Sequence, residues 1–349
     1  MRICLAGAAR WRPAVPLLAA ALLVACPNGP DNDTGDEPEP GVWFVERQAL
    51  SGAIMSLWGT DSDDLWIAGT VGTGAGPIAM HWDGTQWTDL EAPTLDDLWW
   101  VSGPDADNVW FSGDHGTVLR YDRAAESFTE IPTSTAATLF GIWGPEGGPM
   151  YAVGGEIGVP DSAVVLRIEG DVATEVDDLP VGIDPDEAIF KPWGTAANNV
   201  WVIGTMGSVM NFNGESWSRQ VLPGSPRLVT LNGNDSGDMI VVGGAGTGVI
   251  FERIASEGMW SDVTPSGAAP LNGVFLTDDG QASVAGFQSK VMAREGSVWT
   301  TLPPPPILND WHAVWIDEQG HTYVGGGDLI GLTDGTLLRF DPDALPSTE

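Results

Sequence analysis

The phrase IMSLWGTDSDDLWIAG at Ile54–Gly69 recurs in altered form through the chain, and no other feature restricts the fold as much. Aligned on the final glycine, the copies end at Gly69, Gly113, Gly154, Gly204, Gly243, Gly286 and Gly326, in steps of 44, 41, 50, 39, 43 and 40 residues. Three positions before each glycine stand Trp66, Trp110, Tyr151, Trp201, Ile240, Ser283 and Tyr323. Eight before those stand Trp58, Ser102, Trp143, Trp193, Asn232, Phe275 and Trp315, and four before those Ile54, Leu98, Leu139, Ile189, Leu228, Leu271 and Trp311. That last column is apolar in every copy. A unit of this length cannot bury its apolar face alone, so repeats with this period stack against one another.

Each unit parses into four strands. In the first, Ile54–Gly59 is strand one, Thr60–Asp63 a turn, Leu65–Gly69 strand two, Ile78–Trp82 strand three and Gln86–Leu90 strand four. Asp83-Gly84 between the last two is the dipeptide a tight hairpin requires, because its central residues take positive φ. The same turn followed by tryptophan recurs at Asn213–Trp217 and Glu295–Trp299, shortened at Glu257–Trp260. With 46 Gly and 26 Pro against 18% charged residues, the chain favours many short strands over helices. Four-stranded units arrayed radially are propeller blades, so the expected fold is all-β, a seven-bladed β-propeller.

The seventh unit runs Trp311–Gly326 and Thr333–Phe340 and has no fourth strand. Val42–Glu46 precedes the first unit, has no blade of its own and matches the missing piece. The N-terminal strand is therefore expected to complete the last blade and remove an open edge. The seventeen tryptophans follow from this arrangement. Those locked to the repeat read as packing between blades, in preference to a sugar-stacking platform. Trp82, Trp99 and Trp100 lie outside the columns and keep a role in ligand contact.

The units resemble bacterial propellers of the WD/YVTN/BNR-like superfamily in the divergent form of exported lipoproteins. Leu57-Trp58-Gly59 with Leu65–Gly69, and Trp193-Gly194 with Val200–Gly204, carry the likeness, which spans Trp43–Asp341. It implies a fold and leaves function open, because propellers host enzymes, scaffolds and sensors. Asp83–Trp87 is also similar to the Asp-box of sialidases, a turn-stabilising device. That likeness would imply an arginine triad and a tyrosine nucleophile. Tyr151 and Tyr323 fall in the strand-two aromatic column, and no FRIP-like segment exists.

Arg2, Arg10 and Arg12 precede the apolar run Ala14–Ala25, the pattern of an export signal. Leu23-Val24-Ala25-Cys26 resembles the bacterial lipobox, which implies cleavage before Cys26 and lipidation of its sulfur and amine. The expected organisation is a signal peptide over 1–25, lipidated Cys26 with a flexible acidic tether to 42, the propeller over 43–341 and a tail over 342–349. Asp31–Asp36 has the spacing of a calcium loop but lacks its closing glutamate. With only Cys4 and Cys26, no disulfide framework forms.

The leader arginines are three of 14 basic residues, so the remainder carries 11 against 48 acids, a net charge of −37. Such a field repels phosphate backbones, and nucleic-acid binding is not expected. No metalloprotease, Walker, Rossmann or nucleophile-elbow motif occurs in a suitable context. His81, His115, His312 and His321 show no ligand spacing. Acid pairs stand in the blade connections at Asp96, Asp97, Asp184, Asp186 and Glu187, and at Asn309-Asp310. Solvated loop charge is the plain reading; the sharper one makes them, with Trp99 and Trp100, a loop-face binding site. No cofactor is expected, with calcium at these carboxylates as the alternative. Two functions follow. One is a monomeric, non-enzymatic scaffold, lipid-anchored in the cell envelope at the outer membrane, binding protein or polysaccharide. The other is a glycosidase or lyase that uses the loop carboxylates.

Overall fold

The structure, a computed structural model, describes residues 41–345. It contains seven antiparallel sheets of four strands each. Blades one to six cover 54–89, 98–130, 139–175, 189–221, 228–262 and 271–301. Blade seven is built from Asp310–Ile316, Thr322–Asp328 and Thr333–Asp341, with Val42–Leu50 as its outermost strand. The first strands touch one another in an unbroken circle, blade one meeting both two and seven, so they form the inner wall of the ring. No helix among the described residues is long and apolar enough to cross a membrane.

The ring closes as the orphan N-terminal strand predicts. Val42 pairs with Asp341 and Trp43 with Phe340. Trp43 Nε1 donates to Pro303 O at 2.8 Å, and Arg339 Nε to Glu46 Oε1 at 2.9 Å.

The core is divided among the seams. Seven apolar clusters each join side chains of two adjacent blades, and together they cover every junction, including that between seven and one. The repeat columns explain the fit. Trp58 lies directly across the strand pair from Trp66, Trp143 from Tyr151, Trp193 from Trp201 and Trp315 from Tyr323. Each strand-one tryptophan then reaches over the glycine of the following blade. Trp58 covers Gly103, Trp143 covers Gly194, Trp193 covers Gly233 and Trp315 covers Gly59, so tightly that a methyl group there would meet the indole within 3.1 Å. The Trp-Gly dipeptide of the repeat is thus a knob on one blade and the hole for its neighbour's knob. Where blade six has Leu276 instead of glycine, blade five supplies Asn232, whose Oδ1 accepts the Leu276 N–H at 2.8 Å.

The terminal glycine of each phrase has a separate cause. It lies against the chain entering its own blade. A Cβ at Gly69, Gly113, Gly154, Gly243, Gly286 or Gly326 would overlap the carbonyl oxygen of Ala53, Asp97, Thr138, Arg227, Pro270 or Asp310. In blade four the Glu187 carboxylate fills that place beside Gly204. The residue after the glycine donates its N–H to the entering carbonyl, as Thr70 to Ala53 at 3.0 Å and Gly244 to Arg227 at 2.8 Å. This close approach ties strand two of each blade to the chain entering that blade.

In the blade-one outer hairpin Gly84 has positive φ as expected but Asp83 does not; its side chain holds the turn instead. Asp83 Oδ1 accepts the Thr85 hydroxyl and the N–H groups of Thr85 and Gln86, which lowers its carboxyl to about 2.

Candidate functional site

Strand one carries an irregularity that repeats seven times. In each blade the apolar column residue pairs with the terminal glycine, and the next pair skips one residue of strand one. Ile54 faces Gly69 and Ser56 faces Ala68; Leu98 faces Gly113 and Trp100 faces Ser112. The other five blades show the same skip. Each is a β-bulge, which leaves one residue out of the ladder and re-aims its side chain. The bulged residues are Met55, Trp99, Phe140, Phe190, Val229, Asn272 and His312, and all seven line one axial cavity. Regular alternation would send every strand-one side chain into a seam, so the bulge is what gives the axis its lining.

This cavity, of about 640 Å³, opens on the face formed by the blade connections and the strand two–three loops. That size lies within the range of small-molecule pockets. Its wall is aromatic on one side. Trp99 and Phe140 meet edge to face at 5.4 Å, Phe140 and Phe190 lie 4.6 Å apart, and Val229 completes the cluster. Trp99 Nε1 donates to Asp114 Oδ1 at 2.8 Å, which fixes its indole.

The cavity also gathers positive charge. Lys191, the residue after the blade-four bulge, is 2% exposed. Its ammonium donates to Phe140 O and sits 4.0 Å from the Trp100 ring centroid. Gly141 gives it passage, because a Cβ there would lie 3.1 Å from Lys191 Cδ. Arg227 lies at the rim with its guanidinium 5.5 Å from the Phe190 ring. Among the described residues, lysine and arginine ion pairs are made by Arg120, Arg123, Arg167, Arg219, Arg294 and Arg339; Lys191 and Arg227 take part in none. Burial pushes the Lys191 amine well below its usual range.

His312 completes the ring, with Nδ1 2.7 Å from Met55 O. Burial, reinforced by the charges of Lys191 and Arg227, holds its pKa down to about 3. Its imidazole is therefore expected to stay neutral from pH 8 to about pH 4 in a ¹⁵N-detected histidine titration. His115, exposed and hydrogen-bonded to Asp96, should titrate above the usual ~6.5. The unfolded chain protonates His312 near ~6.5 and the folded chain only near pH 3. The unfolded state thus binds more protons in that window, and His312 makes stability fall as pH is lowered through it. An imidazole at His312 that charges near pH 6.5 in the folded protein would contradict this packing.

Of the residues singled out from the sequence, Trp99 lines the axial cavity and Trp100 lies behind it, against Lys191. Of the acidic residues only Asp310 joins them, its Oδ1 accepting the Gln288 N–H at 2.9 Å; the others do not. Asp96 bonds His115 at 2.9 Å and Thr117 at 3.1 Å, and Asp97 Oδ1 accepts the Val71 N–H at 2.7 Å. Asp184 Oδ1 accepts the Asp186 N–H at 3.0 Å, and the Asp186 side chain is exposed. Glu187 is fully buried; Oε2 accepts the Ser208 hydroxyl at 2.6 Å, Oε1 accepts the Met206 N–H at 3.1 Å, and Arg219 approaches to 3.7 Å. Among the described residues no three His, Cys, Asp or Glu side chains converge in a way that would hold a metal ion. Cys26 lies outside the described residues.

The opposite mouth differs in character. It is formed by the strand one–two turns, edged by Trp58, Trp143 and Trp193 and rimmed by Glu146, Asp235, Asp278, Asp279, Asp317 and Glu318. The two ends of the axis are thus electrically distinct, one aromatic with two unpaired cations and the other acidic.

No family model matches the chain, and no curated protein matches it. Solved structures of low identity share its fold. Virginiamycin B lyase from Staphylococcus aureus superposes with a TM-score of 0.66 at 13% identity, over 85% of this chain and 99% of its own. The WD40 β-propeller domain of Doa1 gives 0.66 at 11% identity, over 86% and 96%. YCF48 bound to a D1 peptide gives 0.64 at 13% identity, over 86% and 99%. At these identities the likeness is one of fold, and the chain is a seven-bladed all-β propeller.

Proposed function

We propose that this chain is an exported, lipid-tethered propeller that works by binding, and that the face carrying the axial cavity receives a protein or polysaccharide of the cell envelope. The supporting observation is the ring of seven bulged residues. The rest of strand one repeats the same frame in every blade, whereas these positions hold seven individually chosen side chains around one opening. Binding sites sit on such non-repeated elements held by a rigid scaffold. A propeller of similar fold has been solved with a peptide, which makes a polypeptide segment a reasonable occupant of this face. The tether is read from the export signal, the Cys26 lipobox and the acidic linker.

A photo-crosslinking amino acid at Gln288, exposed at the cavity rim, should form a discrete adduct in intact envelopes. One at Glu146, exposed on the opposite mouth, should not. Equal labelling from both sites, or none from Gln288, would remove the face assignment. Cys26→Ala should move the protein from the detergent phase to the aqueous phase; a variant that stays in detergent would remove the lipid tether.

A further inference from the structure

We infer that the axial cavity is a receptor site for a small amphiphilic organic acid, whose single carboxylate pairs with Lys191 and Arg227 while its apolar body lies against Trp99, Phe140 and Phe190. The inference uses the cavity assigned above to a partner-facing surface, but it concerns a small ligand held inside and not the macromolecule that covers it.

Charge is the first argument. Acids outnumber bases 48 to 14 in this chain, and six of the cations from Gly41 onward are in ion pairs with carboxylates. Of the five that are not, Lys191 and Arg227 meet at the same cavity. A buried ammonium is costly unless an anion and further hydrogen bonds compensate it. Lys191 has one carbonyl oxygen and the face of one indole, and no carboxylate. One acidic side chain, Asp310, lines the cavity, with Oδ1 engaged by the Gln288 N–H at 2.9 Å. His312 adds no charge. With Lys191 protonated, the wall carries two positive charges and one negative, so one anionic group balances it.

Shape and field narrow the ligand further. The cavity holds a molecule of small-ligand size, and three aromatic rings offer it flat apolar surface. The surrounding field is strongly negative, which repels polyanions at long range and penalises a single charge least. Gly141 is part of the design. It is the blade-three counterpart of Lys191, and a side chain there would crowd Pro192 Cδ and the Phe190 carbonyl as well as the lysine stem that extends toward Trp100.

The test is calorimetry on the mature protein with 3-phenylpropionate and its uncharged isostere, 3-phenylpropanamide. The acid should bind saturably at one site, and the amide about tenfold more weakly or worse. Lys191→Met and Arg227→Gln should each weaken the acid selectively, and the double variant should bring acid and amide within about twofold. Lys191→Met replaces a buried amine that has no carboxylate partner with an apolar side chain of similar length, a change that buried sites accept. Arg227 is exposed, so its variant keeps the test open if the first does not fold. Equal binding of acid and amide, no saturable binding of either, or an acid preference undiminished in Lys191→Met would overturn the inference. The Gln288 crosslink separates the two readings. An adduct without acid binding leaves the partner face and removes the receptor site; acid binding without an adduct does the reverse.

Discussion

A chain that begins at Ser51 is expected to fail as a cooperative domain, not merely to lose a fraction of its stability. Removing Val42–Leu50 strips blade seven of its outer strand and exposes the edge of Thr333–Asp341, whose partner it is. It also removes Trp43 from the seam between blades six and seven, where the indole packs on Phe340 at 5.1 Å and caps the cluster around Trp311. An indole that buries 150–250 Å² contributes about 4–6 kcal/mol at 25 cal/mol per Å². Several ladder hydrogen bonds add about 1 kcal/mol each. The sum approaches the whole stability of an ordinary domain, about 5–15 kcal/mol. Circular dichroism should therefore show a broad, early melt with aggregation through the freed edge. A peptide of sequence Val42–Leu50 added in trans should restore a sharp transition. A truncated chain that melts within about 3 °C of the parent would show that the ring does not depend on this closure.

The second large effect is expected from one methyl group. Gly243→Ala places a Cβ on the Arg227 carbonyl, the acceptor of the Gly244 N–H that locks blade five to its incoming chain. Overpacking and the loss of that hydrogen bond should together cost about 3 kcal/mol or more in urea unfolding. Gly246→Ala, three residues along the same loop, is the control. A Cβ there has no neighbour within 4 Å, and its effect should stay within about 0.5 kcal/mol. Gly243 does not have positive φ, so the difference between the two reports the close approach alone. Equal costs at both positions would mean that the glycine column has another cause.

Much of the frame was legible because it rests on distances along the chain. The apolar, aromatic and glycine columns each became a definite contact: a seam, a tryptophan over the next blade's glycine, a carbonyl against a bare Cα. The orphan strand at Val42–Glu46 was legible for the same reason, since a blade short of one strand leaves a gap of known size. The site was legible only at Trp99 and Asp310. A bulge leaves no mark on the spacing, because all seven phrases carry it and all seven keep the same length. The column beside the invariant apolar one, read as Met55, Trp99, Phe140, Phe190, Val229, Asn272 and His312, was visible but carried no direction until pairing was known. The destinations of the charged groups were equally closed to inspection. Glu187 and Asp97 both stand in blade connections, yet Glu187 folds inward onto Ser208 while Asp97 reaches sideways to the Val71 N–H. Lys191 depends on Gly141 and Trp100, which belong to two other blades.

The bulges have a consequence for how such a protein changes over generations. The seven axial residues stand outside the ladder that holds the ring, so each behaves as a letter in a seven-place word written on a fixed page. A lineage can exchange Val229 for a ring and alter what the opening accepts while the scaffold that spells it stays the same.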